Sequence, residues 1–442
     1  VKLLRGASIP FVNGTRKADV LYDERIEAIL PCGEGSADEV TDATGCLLLP
    51  GAIDSHVHFN DPGFPEHEDF ASGTAAAAAG GVTTVVDMPC TSLPPVVTVP
   101  ALENKLHHIA PKAYVDYALW GGVNGGEKPH IDELWHAGVV GIKLYTVSGM
   151  HTYPALDYIA IGLLLDFYPH VLQAFHAEDP AMLAREAAIE RDWTDFAQWS
   201  AMRPAKAELL AVQLILNHTR GRVHIVHVGA AAAAQAILIA RRRGVDVTWE
   251  TAPHYLAFTA NDLRELRGRL KTAPPVKTPA DRDFLRACLI DGRLDWVASD
   301  HAGCNWATEK TSDDLREVYN GIPGVQWQLP WLASEFLSTG LITPARLAEV
   351  TSGAPARRLG LYPRKGCLAP GSDADFVLLD CSRPWVANEQ NLLCRGKYSP
   401  FNGRTFACRV ARTIVRGRTV YEDGAGLMGE RGWGMWQRRI SS

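Results

Sequence analysis

Residues 50–89 read PGAIDSHVHFNDPGFPEHEDFASGTAAAAAGGVTTVVDMP, and their texture decides the fold. A short apolar run, GAIDSHVHF, leads into a helix-like stretch over Phe70–Ala79 that is rich in the strongest helix former. A β-branched run, VTTVVDMP, follows at once. Strand, helix and strand in succession make a parallel pair joined by a crossover helix.

The same alternation continues outward. Helical stretches near residues 101–108 and Ile131–Ala137 separate YVDYALWG from VVGIKLYT, and VLQAFHA, RVHIVHVG, DVTWETAP and DWVASD extend the series. Eight such units over residues 51–360 fit a closed (β/α)8 TIM-like barrel better than an open sheet. On either side the texture is different. VKLLRGASI, ADVLYD, RIEAIL and GCLLLP before the barrel, with KGCLAPGSDADFVLLD and CRVARTIVRGRTVYEDG after it, are short strands between Gly, Asp and Asn turns. The two chain ends, 1–50 and 361–424, are therefore expected to form one small β-sandwich domain. The Gly-, Arg- and Trp-rich residues 425–442 read as a C-terminal arm packing on a neighbour.

The chain of 442 residues exceeds the roughly 250 that a bare barrel needs, which leaves room for that second domain. A net charge of −6 is too mild to mark nucleic acid or an acidic membrane surface as a partner. No apolar run is long enough to span a bilayer and no signal-like segment is seen. The nine cysteines are odd in number, scattered and free of C-x-x-C pairs. Neither a disulfide framework nor a thiolate zinc site is expected, and a cytoplasmic protein is.

Polar residues stand where the apolar runs end. His56 and His58, at i and i+2 of a strand, share one face; by itself such a pair fits a metal or two core histidines equally well. Lys143 is the one charge in GVVGIKLYT. A buried amine is held neutral and nucleophilic, so it can take up CO2 and become an anionic carbamate able to bridge two cations. His176, His227 and Asp300 each terminate a separate run. A strand-end cap explains any one of them, whereas five such strand ends together are where a barrel enzyme keeps its active site. Imidazole and oxygen donors without thiolate suit two divalent ions, Zn2+ first and Mn2+ or Co2+ next. Such a pair polarises a carbonyl and activates water, with Asp300 taking and returning the proton.

The opening stretch resembles the cyclic amidohydrolases: hydantoinase, allantoinase, dihydropyrimidinase and dihydroorotase. The likeness continues through GIKLY, FHAEDP, HIVHVG, ETAPHYL, KTAPPVK, VASDHAG, SGAPARRLGLYPRKGCLAPGSDADFVLLD and KYSPFNG, covering nearly the whole chain. The resemblance implies that His56 and His58 hold the more buried metal, that Lys143 as N6-carboxylysine bridges both, and that His176 and His227 hold the second. It also implies that Asp300 is both ligand and general base, that the chain ends form a β-sandwich, and that the protein is a homo-oligomer, commonly a tetramer.

By the same resemblance, backbone groups near Ala273 and Asn320 bind the substrate ureide. Asn60 is expected to contact the substrate as well, and it stands where dihydroorotases carry the arginine that pairs with a substrate carboxylate. Ser148 stands where D-hydantoinases place the tyrosine that binds the oxyanion, which leaves Tyr145 as the candidate for that role. Trp306, Trp327 and Trp331 read as core or interface aromatics before pocket walls. The expectation is hydrolysis of a cyclic ureide, a 5-substituted hydantoin or allantoin, to its N-carbamoyl acid. Dihydropyrimidinase- or dihydroorotase-type ring opening and a non-catalytic scaffold homologue are the alternatives. A deaminase of the wider barrel class would leave Lys143 without a part.

Overall fold

The computed structural model describes residues 1–11, 14–125, 129–217 and 220–440. Parallel strands in chain order are Ala52–His58, Val82–Asp87, Asp116–Leu119, Ile142–Tyr145, Leu172–His176, Arg222–Ile225, Val247–Thr251 and Trp296–Val297. Two of them are broken. The third resumes after Trp120 as Gly121–Gly122, its first part pairing with the second strand and its second part with the fourth. The eighth resumes as His301–Ala302; the earlier segment pairs with the seventh strand and the later one with the first. Eight strands thus succeed one another around a ring. Every residue of the first and second strands is buried, because the helices cover the outer surface and side chains fill the interior.

The connecting helices are started by local chemistry that the sequence carries. Asp69, Thr98, Asp157 and Asp179 each accept a hydrogen bond from an amide in the first turn of their helices. Thr278 and Asp281 form a reciprocal capping box. In the Ala-rich helix Phe70–Ala79, small side chains allow a close approach to the barrel. At Gly73 a Cβ would stand 2.7 Å from the Phe59 ring.

The two chain ends share one nine-stranded sheet. Its seam is the antiparallel pairing of Leu47–Pro50 with Phe376–Asp380. Alternation along these strands serves two cores. Leu48, Phe376 and Leu378 join the core enclosed by the sheet, whereas Leu49, Val377 and Leu379 join the barrel core.

Three expectations are corrected here. Gly426–Leu427 pairs with Arg418–Glu422 and extends the sheet past residue 424, a strand that its Gly-rich context conceals. The rest of the tail lies along its own barrel: Tyr117 N–H donates to the Met435 carbonyl (3.1 Å), and Gln437 N–H to that of Tyr117 (2.7 Å). Finally, Cys381 and Cys408 form a disulfide, Cα atoms 4.0 Å apart. They are 27 residues apart in sequence but lie just beyond the paired residues Asp380 and Arg409, so pairing of the strands brings them together.

Candidate metal centre

The predicted ligands converge at the C-terminal end of the strands. His56 and His58 project from the first strand toward Asp300, with Nε2–Oδ1 distances of 3.2 and 3.6 Å. Ligand atoms of these three residues lie within 4.8 Å of one another. His176 Nδ1 and His227 Nε2 stand 3.0 Å apart, and the His227 ring is 5.4 Å from that of His56. Lys143 is fully buried, and its Nζ has no hydrogen-bond partner. All six residues are thus in one neighbourhood.

Their backbone is unusual too. Among the described residues, five non-glycine residues have positive φ, and three of them are Asn60 (22°), His227 (40°) and Asp300 (51°). Asn, His and Asp are the side chains best tolerated there, and such conformations collect at functional sites. Asp300 occupies the break in the eighth strand, which turns its carboxylate toward His56 and His58.

Residues that the sequence reading passed over hold the imidazoles in place. Glu250, in the seventh strand, takes His56 Nδ1 at 2.7 Å and leaves Nε2 facing Asp300. It also accepts from Ser55 Oγ (2.7 Å) and Trp296 Nε1 (2.7 Å). Glu178 takes His176 Nε2 at 2.9 Å, which leaves Nδ1 facing His227, and is itself held by Arg203. A carboxylate behind a metal-facing histidine fixes its tautomer and raises its basicity. Glu208 accepts from Gly229 N–H (3.0 Å) and Ala230 N–H (3.1 Å), fixing the turn after His227. Behind His58 the neighbour is a sulfur: Cys90 Sγ lies 3.7 Å from Nδ1 and 3.1 Å from the Tyr145 hydroxyl. Glu250 left one sign in the sequence, a carboxylate within a buried strand, whereas Glu178 lies two residues past its strand and reads as the approach to a helix cap.

Burial and neighbours set the charges. Burial draws Lys143 down to about 8. Burial and then Lys143 draw His56 down to about 4. Burial would raise Asp300, but His56 and His58 outweigh it and hold the carboxyl at about 2. Glu250 is likewise held low against its burial by His224 and His56. At His58 burial opposes a charge, but Cys90 and Asp300 outweigh it and raise the imidazole to about 9. The centre therefore offers an ionised carboxylate, uncharged imidazoles at His56, His176 and His227, and an unpaired buried amine. His56 Nε2 is close to Asp300 but not aligned as a hydrogen bond, so it too lacks a partner. Buried donors left without partners in this way fit divalent metal ions. A second carboxylate group, Asp116, Asp373 and Asp375, does not: Lys365 Nζ already contacts all three at 2.5–2.9 Å.

A cavity of 500 Å3 opens over the centre. His58, Tyr145, His176, His227 and Asp300 line its floor side, and Ala273 and Asn320 its wall. Asn60 is not among the lining residues. It is 1% exposed, and its carbonyl accepts from Phe64 N–H (2.7 Å) in the turn after the first strand. The expected substrate contact from Asn60 is therefore withdrawn. Trp327 and Trp331 are core residues against Phe406 and Phe401, and Trp306 packs on Tyr398; none lines the cavity.

A barrel with this donor set at its carboxyl end defines a metal-dependent hydrolase. Residues 47–143 and 209–420 match the model of the amidohydrolase family, and the chain belongs to that family, in its cyclic-amide branch. It is 39% identical to an allantoinase of Rubrobacter xylanophilus over 97% of this chain and 96% of the relative. It is 31% identical to the allantoinase of Saccharomyces cerevisiae, over 94% of each. Among solved structures, the L-hydantoinase (dihydropyrimidinase) of Arthrobacter aurescens superposes with a TM-score of 0.94 at 29% identity, over 99% of both chains.

Proposed function

We propose that the protein hydrolyses the ring amide of allantoin or a closely similar polar cyclic ureide to the N-carbamoyl acid, using two divalent ions held by His56, His58, Lys143 as a carbamate, His176, His227 and Asp300. The observation that carries this reading is the meeting of six donors from five strand ends under one cavity, with Lys143 Nζ left unpaired. The ions, Zn2+ by the donor chemistry, supply Lewis acidity toward the ring carbonyl and make water acidic near neutral pH.

The chain's own residues do the rest. Asp300 accepts a proton from the attacking water and delivers it to the departing ring nitrogen as the C–N bond breaks. Tyr145, on the floor side of the cavity, donates a hydrogen bond from its hydroxyl to the developing oxyanion. Backbone groups of Ala273 and Asn320 hold the ureide, and the enclosing walls keep bulk water out. Glu250 and Glu178 hold His56 and His176 through the cycle.

The lining favours a polar ring substituent. Among the described residues that line it there is no Phe or Trp, and Thr308, Glu309, Arg316 and Glu317 stand beside Tyr145 and Tyr319. Among the described lining residues both arginines already have carboxylate partners, Arg203 with Glu178 and Arg316 with Asp314, which disfavours a dihydroorotate carboxylate. The test is elemental analysis joined to a panel of allantoin, hydantoin, a benzyl-substituted hydantoin, dihydrouracil and dihydroorotate. The expected result is about two ions per chain, with allantoin turned over at the highest kcat/KM. No turnover of any member, after incubation with Zn2+ and bicarbonate, would overturn the reading in favour of a scaffold.

A homo-oligomer is also proposed. Helix Tyr158–Phe167 exposes Ile159 (78%), Leu163 (51%) and Phe167 (72%), spaced four apart on one face. Ile189 and Leu214 are exposed in neighbouring segments. A line of large apolar side chains left to water marks an association surface. Changing Leu163→Glu together with Phe167→Glu is expected to lower the mass measured by light scattering while leaving the melting midpoint nearly unchanged. An unchanged mass would place the interface elsewhere.

A further inference from the structure

Two buried lysines outside the metal centre have no carboxylate partner. Lys271 is 1% exposed and Lys310 is 2% exposed, and neither makes an ion pair among the described residues. Both ammonium groups are spent on backbone carbonyls. Lys271 Nζ donates to the carbonyl of Val318; Lys310 Nζ donates to those of Tyr319 (2.8 Å) and Lys271 (3.3 Å). The Lys271 carbonyl also accepts from Gly321 N–H at 3.0 Å.

These bonds join two chain segments that form the cavity wall. Thr272 and Ala273 follow Lys271 directly, and Val318, Tyr319, Asn320 and Gly321 make up the other strip. Trp199 closes the back of the arrangement: its Nε1 donates to the Thr272 carbonyl (2.6 Å), and its ring lies 4.2 Å from Lys271 Nζ. Gly268 permits the approach, since a Cβ there would stand 2.2 Å from the Lys310 carbonyl.

Burying two cations without counter-charges is costly, and burial depresses both amines toward neutrality. Apolar side chains would fill the same space more cheaply, but they would leave the Val318 and Tyr319 carbonyls unbonded and the two strips joined here only by the Gly321 N–H to Lys271 carbonyl bond.

We infer that Lys271 and Lys310 are positioning residues that lock the Thr272–Ala273 and Val318–Gly321 strips at the spacing that binds the substrate ring. The inference rests on the proposed ureide hydrolysis, since it gives those strips their ligand.

The test compares Lys310→Met, Lys310→Arg and Lys271→Met in the full-length, metal-loaded protein. Two readouts are needed: amide hydrogen exchange across residues 270–275 and 315–322, and steady-state kinetics with allantoin. The expected result is faster exchange in both strips for the Met variants. KM should rise at least about tenfold while kcat moves much less, as befits lost ground-state positioning. Lys310→Arg should recover most of the loss, because it restores a cationic donor. Unchanged exchange overturns the tie itself. Faster exchange with unchanged KM overturns the positioning role and leaves the lysines purely structural. If the unmodified protein opens no ureide, the functional reading fails and the positioning role fails with it, while the exchange data still report whether the tie exists.

Discussion

Replacing Asp300 with asparagine is expected to lower kcat/KM by about a thousandfold, in the range found for loss of a positioned acid–base group. Asparagine is the informative substitution because the backbone at this position has φ 51°. Asn tolerates that conformation nearly as well as Asp, whereas Ala would add strain unrelated to chemistry. The amide keeps the volume and one oxygen beside His56 and His58 but cannot take a proton from water. Burial raises the carboxyl but the two histidines outweigh it, so the native group is ionised across the neutral range and available as a base. Steady-state rates are to be read with metal content and thermal midpoint on the same preparation. Activity within tenfold of the parent, with metal retained, would remove Asp300 from proton transfer.

Lys143→Met should have the opposite consequences for activity and for stability. Methionine matches the volume of the lysine stem but cannot take up CO2 or reach a cation. Metal content should fall from about two ions to below one per chain, and turnover by at least about a thousandfold. The metal-free variant should melt no lower than the metal-free parent. Lys143 Nζ is fully buried without a hydrogen-bond partner, and removing an unsatisfied buried polar group relieves a penalty of about 1–3 kcal/mol. Incorporation of isotope-labelled bicarbonate, followed by NMR, should be seen in the parent and be absent from the variant. Full metal loading and activity in Lys143→Met would show that the amine is structural. Such an exchange of stability for function is common where a site needs a group that the fold alone would not select.

Much of the barrel was legible from residues 50–89 onward because parallel strands with crossover helices impose a local rhythm. Buried strands need β-branched runs, helices need their caps, and both signals lie within about ten residues of chain. The ligand candidates were legible for a related reason. A polar residue ending an apolar strand of a barrel faces the same end of the ring as its counterparts, so His56, His58, Lys143, His176, His227 and Asp300 could be grouped without knowing any distance.

The groups behind those ligands could not be found that way. Glu250 is 194 residues from His56, and Glu178 reads locally as the start of a helix cap. Which carboxylate backs which imidazole depends on the ring's curvature and on side-chain direction, neither of which has a sequence period. Asn60 shows the same limit from the other side: its position in the motif pointed to substrate, and a backbone turn keeps it out of the cavity wall.

The sequence by itself determined the order of strands and helices, the chemistry of the donor set and the split of the chain ends from the barrel, because each is written in neighbouring residues. Tertiary structure alone decided the Cys381–Cys408 pairing, the seating of the tail on its own barrel, the strand at Gly426–Leu427 and the lysine-tied cavity wall. Each of these depends on where distant segments come to rest when the two cores close, and that is set by packing over the whole chain rather than by any local pattern.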